Sequence, residues 1–182
     1  MADFSIRDGT EADIPAIAAI YADAVLTETA SFEIEAPSEA EMLRRFVSLT
    51  EGGFPYIVAE QAGAVLGYGY AGPYRPRIAY RNTIEDSVYL AKEARGRGIG
   101  SALLRELVSV SEKRGFRQMI AVIGDSAHDA SIRLHQSAGF TMVGTVRDVG
   151  YKFGRWLDTV LMQRPLGPGG GAPPNQSVTD RR

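Results

Sequence analysis

The sequence predicts an α/β fold: a single domain in which about four helices flank a mixed sheet. Two observations carry this. Apolar runs and period-two alternation interleave with amphipathic stretches of helical period, in the order strand, two helices, three strands, helix, strand, helix, two strands. The 182 residues, 45% of them hydrophobic, suffice for one domain with a sizeable core.

Phe4-Ser5-Ile6-Arg7 alternates and reads as the first strand. Asp8-Gly9 turns the chain, and Thr10 or Asp13 caps a helix with Pro15 near its start. Ile14, Ile17, Ile20, Tyr21 and Ala24 form its apolar stripe. Residues 27–37 are irregular and carry Phe32. Ser38 caps a second helix containing Met42, Leu43, Phe46 and Leu49, which ends near Gly52-Gly53. Tyr56 to Ala59 is a buried strand, and Gln61-Ala62-Gly63 turns into a longer one, Val65 to Ala71. Gly72 to Asn82 is a loop rich in arginine, proline and tyrosine, and Thr83 to Leu90 is the central strand.

A third helix runs to Arg114, with Ile99, Leu103, Leu107 and Val110 on one face, and Gly115 stops it. Met119 to Ile123 is a strand, 124–128 a turn, and Asp129 to Ala138 a helix ended by Gly139. Thr141 to Val149 and Trp156 to Met162 close the sheet as an antiparallel pair. From Gly167 the chain becomes rich in glycine and proline, a composition that cannot bury apolar surface. Residues 1–166 are therefore expected to be the domain and 167–182 a disordered tail.

The richest stretch chemically is Arg95-Gly96-Arg97-Gly98-Ile99-Gly100-Ser101, between the central strand and the third helix. Glycine leaves backbone N–H groups uncovered. The helix start adds unpaired donors and the positive end of its dipole, and arginine adds permanent charge. Together they suit a ligand with adjacent phosphates. A Walker A loop would need Gly-Lys-Ser/Thr, and Ile99 follows Gly98 here. A dinucleotide fingerprint would need its third glycine where Ser101 stands. A plain flexible turn with solvated arginines is the remaining reading of the loop taken alone.

The surrounding chain adds more. Arg95-x-x-Gly98-x-Gly100 is joined by Ala71-Gly72-Pro73-Tyr74, Ala79-Tyr80 and Thr83-Ile84-Glu85 upstream. Downstream come Ile132-Arg133-Leu134-His135, Ser137-Ala138-Gly139-Phe140 and the run from Val149 to Trp156. In this order, from Phe4 to Gln163, the set resembles the phosphinothricin acetyltransferase branch of the GNAT acyltransferase superfamily. The resemblance implies a mostly antiparallel central sheet, acetyl-CoA as co-substrate, a small-molecule amine as acceptor and a homodimer. It also implies that the loop from Arg95 to Ser101 holds the coenzyme diphosphate. Backbone groups at Val88 and Leu90 would bond the pantetheine arm. The expected reaction is acetyl transfer to the α-amine of a small amino acid or analogue, such as phosphinothricin or methionine sulfoximine. Direct attack in a ternary complex is expected, since no residue suits an acetyl-enzyme. A non-catalytic acyl-CoA sensor on the same fold is the alternative, and a nucleotide-dependent oxidoreductase is disfavoured by Ser101.

Acetyl transfer needs a base for the amine, a donor for the carbonyl and close placement of both substrates. Glu85 lies among Thr83, Ile84, Val88 and Leu90, surroundings that raise a carboxyl pKa toward useful values. From the residues alone, an outward-facing Glu85 or an ion pair with Arg75, Arg77 or Arg81 fits as well. The resembled Thr-x-Glu motif places the family's proposed base at Glu85. Alternation turns Asp86 to the opposite face. His135 reads either as a proton relay, matching the family's Arg-Leu-His, or as a packed helix histidine. His128 stands in a turn where relatives carry asparagine, and is carried over as a cofactor contact.

Arg75, Arg77 and Tyr80 are the expected acceptor clamp, since a guanidinium binds a carboxylate or phosphinate through paired hydrogen bonds. Phe32 aligns with an aromatic of the same pocket, and Tyr89 faces the acceptor cleft or the other side of the sheet. The Gly150-to-Trp156 turn is expected at the acceptor cleft or a dimer contact.

The net charge of −2 offers no field for nucleic acid or an anionic membrane. Cysteine is absent, which excludes disulfides and thiolate sites. A metal site using both histidines with Asp125 or Asp129 has only composition behind it, and no metal is expected. With no signal peptide pattern in Met1-Ala2-Asp3-Phe4 and no membrane-length apolar run, a cytoplasmic location is expected.

Overall fold

A computed structural model describes residues 3–174. Its centre is a seven-stranded sheet. The strands are β1 (Ser5–Asp8), β2 (Tyr56–Gln61), β3 (Ala64–Pro73), β4 (Thr83–Leu90), β5 (Gln118–Gly124), β6 (Thr141–Lys152) and β7 (Arg155–Pro165). They lie in the order β1-β2-β3-β4-β5-β7-β6. Every neighbouring pair is antiparallel except β4 and β5. The helices are α1 (Ile14–Thr27), α2 (Glu39–Glu51), α3 (Ile99–Lys113) and α4 (Asp129–Ser137).

Strand alternation divides the core into two layers. On β2, Ile57 and Ala59 face the layer that includes Leu103, Leu104 and Leu107 of α3, while Tyr56 and Val58 face the layer of α1 and α2. Ile99, Leu103, Leu104 and Leu107 are fully buried, and truncating one such leucine to alanine costs about 2–5 kcal/mol. The expected cap of α2 is present, since Ser38 Oγ accepts the Glu41 N–H at 3.2 Å.

The single parallel pairing positions the site. β4 and β5 pair only from Thr83↔Gln118 to Asp86↔Ala121. β4 nevertheless continues to Leu90 and β5 to Gly124, so the two strands diverge beyond Asp86 and open a gap in the sheet.

Two sequence expectations are revised. The Gly150-to-Trp156 run is mostly strand, with Phe153 (φ 52°) and Gly154 (φ 73°) as a tight hairpin turn. Polar alternation breaks here because two bulges shift the register of β6. The segment expected to be disordered from Gly167 begins in turns. Leu166 is fully buried, and Arg117 donates to the Gly169 and Ala172 carbonyls at 2.9 and 2.5 Å. A side chain elsewhere in the fold supplies the bonds that the segment's composition lacks. Residues 175–182 of the expected tail lie outside the described residues.

Candidate active site

A channel of about 350 Å³ runs through the gap between β4 and β5. Leu134, Ser131 and His135 of α4 line one end, and Tyr21, Phe32 and Tyr70 line the other. The sheet's two faces therefore communicate where its ladder is interrupted.

On the α3 side, β4 passes through a short helical turn, Lys92–Ala94, into the glycine loop. Gly96 and Gly98 have φ of 72° and 78°, the left-handed region that side chains resist. A Cβ at either would meet nothing within 4 Å, so the loop is open as well as sharply turned. Ile99 is fully buried and has only its backbone to offer a ligand, while Ser101 is half-buried. Gly100 packs closely, since a Cβ there would lie 3.3 Å from Leu90. Arg97 donates to Gln61 Oε1 at 2.8 Å. Arg95 pairs with Glu28 at 2.5 Å and donates to the Leu90 carbonyl at 3.4 Å. The α3 start thus presents free N–H groups, a dipole end and two arginines to one region. That arrangement suits a diphosphate.

Beyond Asp86, the β5-facing edge of Ser87 to Leu90 has no ladder partner in β5, so Val88 and Leu90 have backbone available toward the gap. His128 lines the channel at the N-terminal boundary of α4.

Glu85 and Asp86 sit at this branch point and do different things. Glu85 is half-buried, lines the channel on the tyrosine side and has no hydrogen-bond or ion-pair partner among the described residues. Burial raises its pKa, the Asp86 charge raises it further, and Arg75 opposes the rise. Asp86 is buried, and its Oδ2 lies 3.0 Å from His135 Nε2, while Oδ1 has no partner.

His135 Nδ1 lies 2.7 Å from the Ser131 carbonyl, which only accepts, so this nitrogen carries a proton. Burial lowers the His135 pKa, but the Asp86 bond and charge together with the Ser131 carbonyl raise it above the ordinary value. Both ring nitrogens are engaged, and the ring stands edge-on to Phe140 at 5.1 Å. His135 thus lines the channel without a nitrogen free for substrate.

Opposite, the tyrosines pack as a layer. Tyr89 stacks on Tyr68 at 5.4 Å and meets Tyr21 edge-on at 5.0 Å. Tyr21 Oη shares a 2.9 Å hydrogen bond with Ser31 Oγ and donates to Glu33 at 3.0 Å. Phe32, 39% exposed, forms part of the channel wall.

The structure brings Glu85, Asp86, Val88, Tyr89, His128, His135 and Phe32 to one channel. It does not bring Arg75, Arg77 and Tyr80 into that lining. They are exposed: Arg75 lies over the Tyr74 ring at 5.0 Å, and Tyr80 meets Tyr74 edge-on at 5.8 Å. Of these three side chains, only Arg75 acts on the Glu85 carboxylate.

Sequence reasoning missed Tyr70 and Ser31. Tyr70 had a signal, because Gly67-Tyr68-Gly69-Tyr70 puts both tyrosines on one strand face. Ser31 lies in an irregular segment without periodicity. Among the described residues no group of three or more metal-ligating side chains converges, and no helix is long and apolar enough to cross a membrane.

Comparison with known proteins agrees with this geometry. Residues 6–161 match the family described as "Acetyltransferase (GNAT) domain". The chain is 52% identical over 165 residues to a phosphinothricin N-acetyltransferase of Alcaligenes faecalis, covering 91% of this chain and 84% of the relative. It is 42% identical over 170 residues to an L-methionine sulfoximine/L-methionine sulfone acetyltransferase of Pseudomonas aeruginosa, covering 93% and 98%. Among solved structures, a GNAT superfamily phosphinothricin acetyltransferase from Sinorhizobium meliloti in complex with AcCoA superposes with a TM-score of 0.94 at 50% identity. That match covers 98% of this chain and 97% of the other.

Proposed function

This chain belongs to the acetyltransferase (GNAT) family, and from that premise we propose that it moves the acetyl group of acetyl-CoA to the α-amine of a small amino acid or analogue. Phosphinothricin and methionine sulfoximine are the acceptor type, after the relatives named above. One observation carries the reading: an unpartnered carboxylate of raised pKa, Glu85, lines a channel that opens where the sheet's ladder ends.

The amine must lose a proton to attack the thioester carbonyl. Glu85 takes that proton, directly or through one water, at a pKa brought closer to neutrality by its surroundings. Nitrogen bonds to the acetyl carbon as the carbon–sulfur bond breaks, and the second proton shed by nitrogen goes to the departing sulfur, so coenzyme A leaves as the thiol. Holding both substrates in one channel supplies several kcal/mol through proximity, on the order of 7 kcal/mol or more in favourable cases.

Arg95 to Ser101 hold the diphosphate, with Gly96, Gly98, Ile99 and Gly100 acting through backbone N–H groups. Val88 and Leu90 bond the pantetheine arm, one N–H polarises the carbonyl, and His128 adds a contact to the coenzyme. Tyr89 and Phe32 flank the acceptor. Arg75, Arg77 and Tyr80 serve as a peripheral clamp for its acidic end. His135 acts as the buried partner of Asp86 and so shapes the charge beside Glu85.

The catalytic domain is 1–166, with the remainder outside the chemistry, and the location is cytoplasmic. A homodimer is supported by the hairpin of β6 and β7, which exposes Val143, Val149, Tyr151, Phe153 and Trp156.

The test is thiol release from acetyl-CoA with phosphinothricin, methionine sulfoximine, ordinary amino acids and peptide N-termini. Release is expected with the first two. Coenzyme binding without release across the whole set would contradict the proposal and leave a sensor in its place.

A further inference from the structure

Lys152, near the end of β6, is a buried lysine whose ammonium is spent on the opposite wall of the molecule. Its Nζ donates to the Glu28 carbonyl at 2.8 Å and to the Ser31 carbonyl at 2.6 Å, and lies 5.0 Å from the centre of the Phe153 ring. Glu28 is the residue that ends α1, so the cation also meets the negative end of that helix. Burial lowers the lysine's pKa, and the Glu28 and Glu33 charges offset only part of that cost. Both carbonyls flank one short segment, and Phe32 is its next residue.

Phe32 is gripped independently. A Cβ at Gly124 would stand 2.8 Å from Cε1 of its ring, and one at Gly150 would stand 2.3 Å from Cε2. The ring's opposite edges therefore fit against bare backbone of β5 and β6. Thr29 is held too, donating to Asp125, which Arg155 of β7 pairs with. The segment from Glu28 to Phe32 has no regular structure of its own, and the terminal hairpin holds its shape from outside.

We propose that Lys152 is a positioning residue for the acceptor amine: by fixing the Glu28 and Ser31 carbonyls it sets the Phe32 wall against Gly124 and Gly150. This rests on the transferase reading above. The proposed coenzyme loop lies outside the channel lining; it meets this segment through the Glu28 side chain, which pairs with Arg95, and not through the carbonyls that Lys152 holds.

The experiment measures both Michaelis constants in thiol release for the wild type, Lys152→Met, Gly150→Ala, Phe32→Ala and the double variant Lys152→Met/Phe32→Ala. Lys152→Met is expected to raise the acceptor KM on the order of tenfold, with the acetyl-CoA KM within about twofold of wild type. Gly150→Ala leaves the lysine in place and pushes the ring, and is expected to raise the same constant. It also keeps the test standing if Lys152→Met fails to fold. In the double variant the lysine substitution should add nothing to Phe32→Ala, since it acts through that ring.

An unchanged acceptor KM in Lys152→Met or in Gly150→Ala overturns the inference. So does a parallel loss in both Michaelis constants, which marks general damage, or a fully additive double variant. Wild-type protein silent with every amine would defeat the transferase reading and this inference together. An active wild type with indifferent variants would defeat this inference alone.

Discussion

The two ends of the proposed substrate site are built in opposite ways. Its coenzyme end is one continuous run outside the channel lining, Arg95 to Ser101, where backbone conformation does the work and side chains mostly stay clear. The acceptor end is assembled from Tyr21 of α1, the segment around Ser31 and Phe32, Tyr70 of β3, Glu85 of β4 and the edges of β5 and β6. A diphosphate asks for converging N–H groups, which adjacent residues can supply. An amine and its base ask for a shaped, partly dry pocket, which only distant segments can enclose. The difference predicts that damage at each end should register on a different substrate.

The sharpest way to break the comparison is at Glu85. Glu85→Gln should lower kcat at neutral pH by about 10²–10⁴-fold and leave calorimetric binding of acetyl-CoA unchanged. Loss of coenzyme binding instead would place Glu85 at the wrong end.

Next comes the neighbouring acid. Asp86→Ala leaves His135 buried with a stranded ring nitrogen, and should cost about 3–5 kcal/mol in urea unfolding. Near-wild-type stability would remove the pair's structural role.

Gly98→Ala probes the coenzyme end. With φ at 78°, the substitution should cost roughly 1–2 kcal/mol and raise the acetyl-CoA KM while sparing the acceptor KM. Equal rises in both would erase the division between the ends.

The smallest effect is a pH dependence of stability. His135 is raised above its ordinary value of 6.5 in the fold. Its stabilisation is therefore complete below that pH and is lost as pH climbs through the raised value. The stability difference between wild type and His135→Gln, followed by thermal unfolding, should shrink above pH 6.5. A difference that grows with pH would reverse the assigned sign.

What the chain disclosed before folding follows the same division. Thr83 to Leu90 reads as a strand and is one, because its residues suit a pleated core. The cap at Ser38 and the glycine-rich entry to α3 are local chemistry and local in the structure. The gap in the sheet was not legible, since it depends on where β4 and β5 stop pairing, and no single residue records that. Nor was the Asp86–His135 contact, which spans two elements, although alternation did turn Asp86 away from Glu85. Arg75, Arg77 and Tyr80 suggested a clamp by residue type, and the fold leaves them exposed beside the channel. Lys152 sat inside a motif expected at the acceptor cleft or a dimer contact, with no role of its own. Its meaning lies in carbonyls more than a hundred residues away, which donor chemistry alone does not locate.

The assignment of Glu85 is tested most directly by the pH dependence of kcat/KM for methionine sulfoximine, in wild type and in Glu85→Gln. With Glu85 as the base, wild type shows an acidic limb of its own above the ordinary glutamate range, and the variant keeps only the limb of the amine. The same enzyme limb surviving intact in Glu85→Gln would mean that some other group takes the proton.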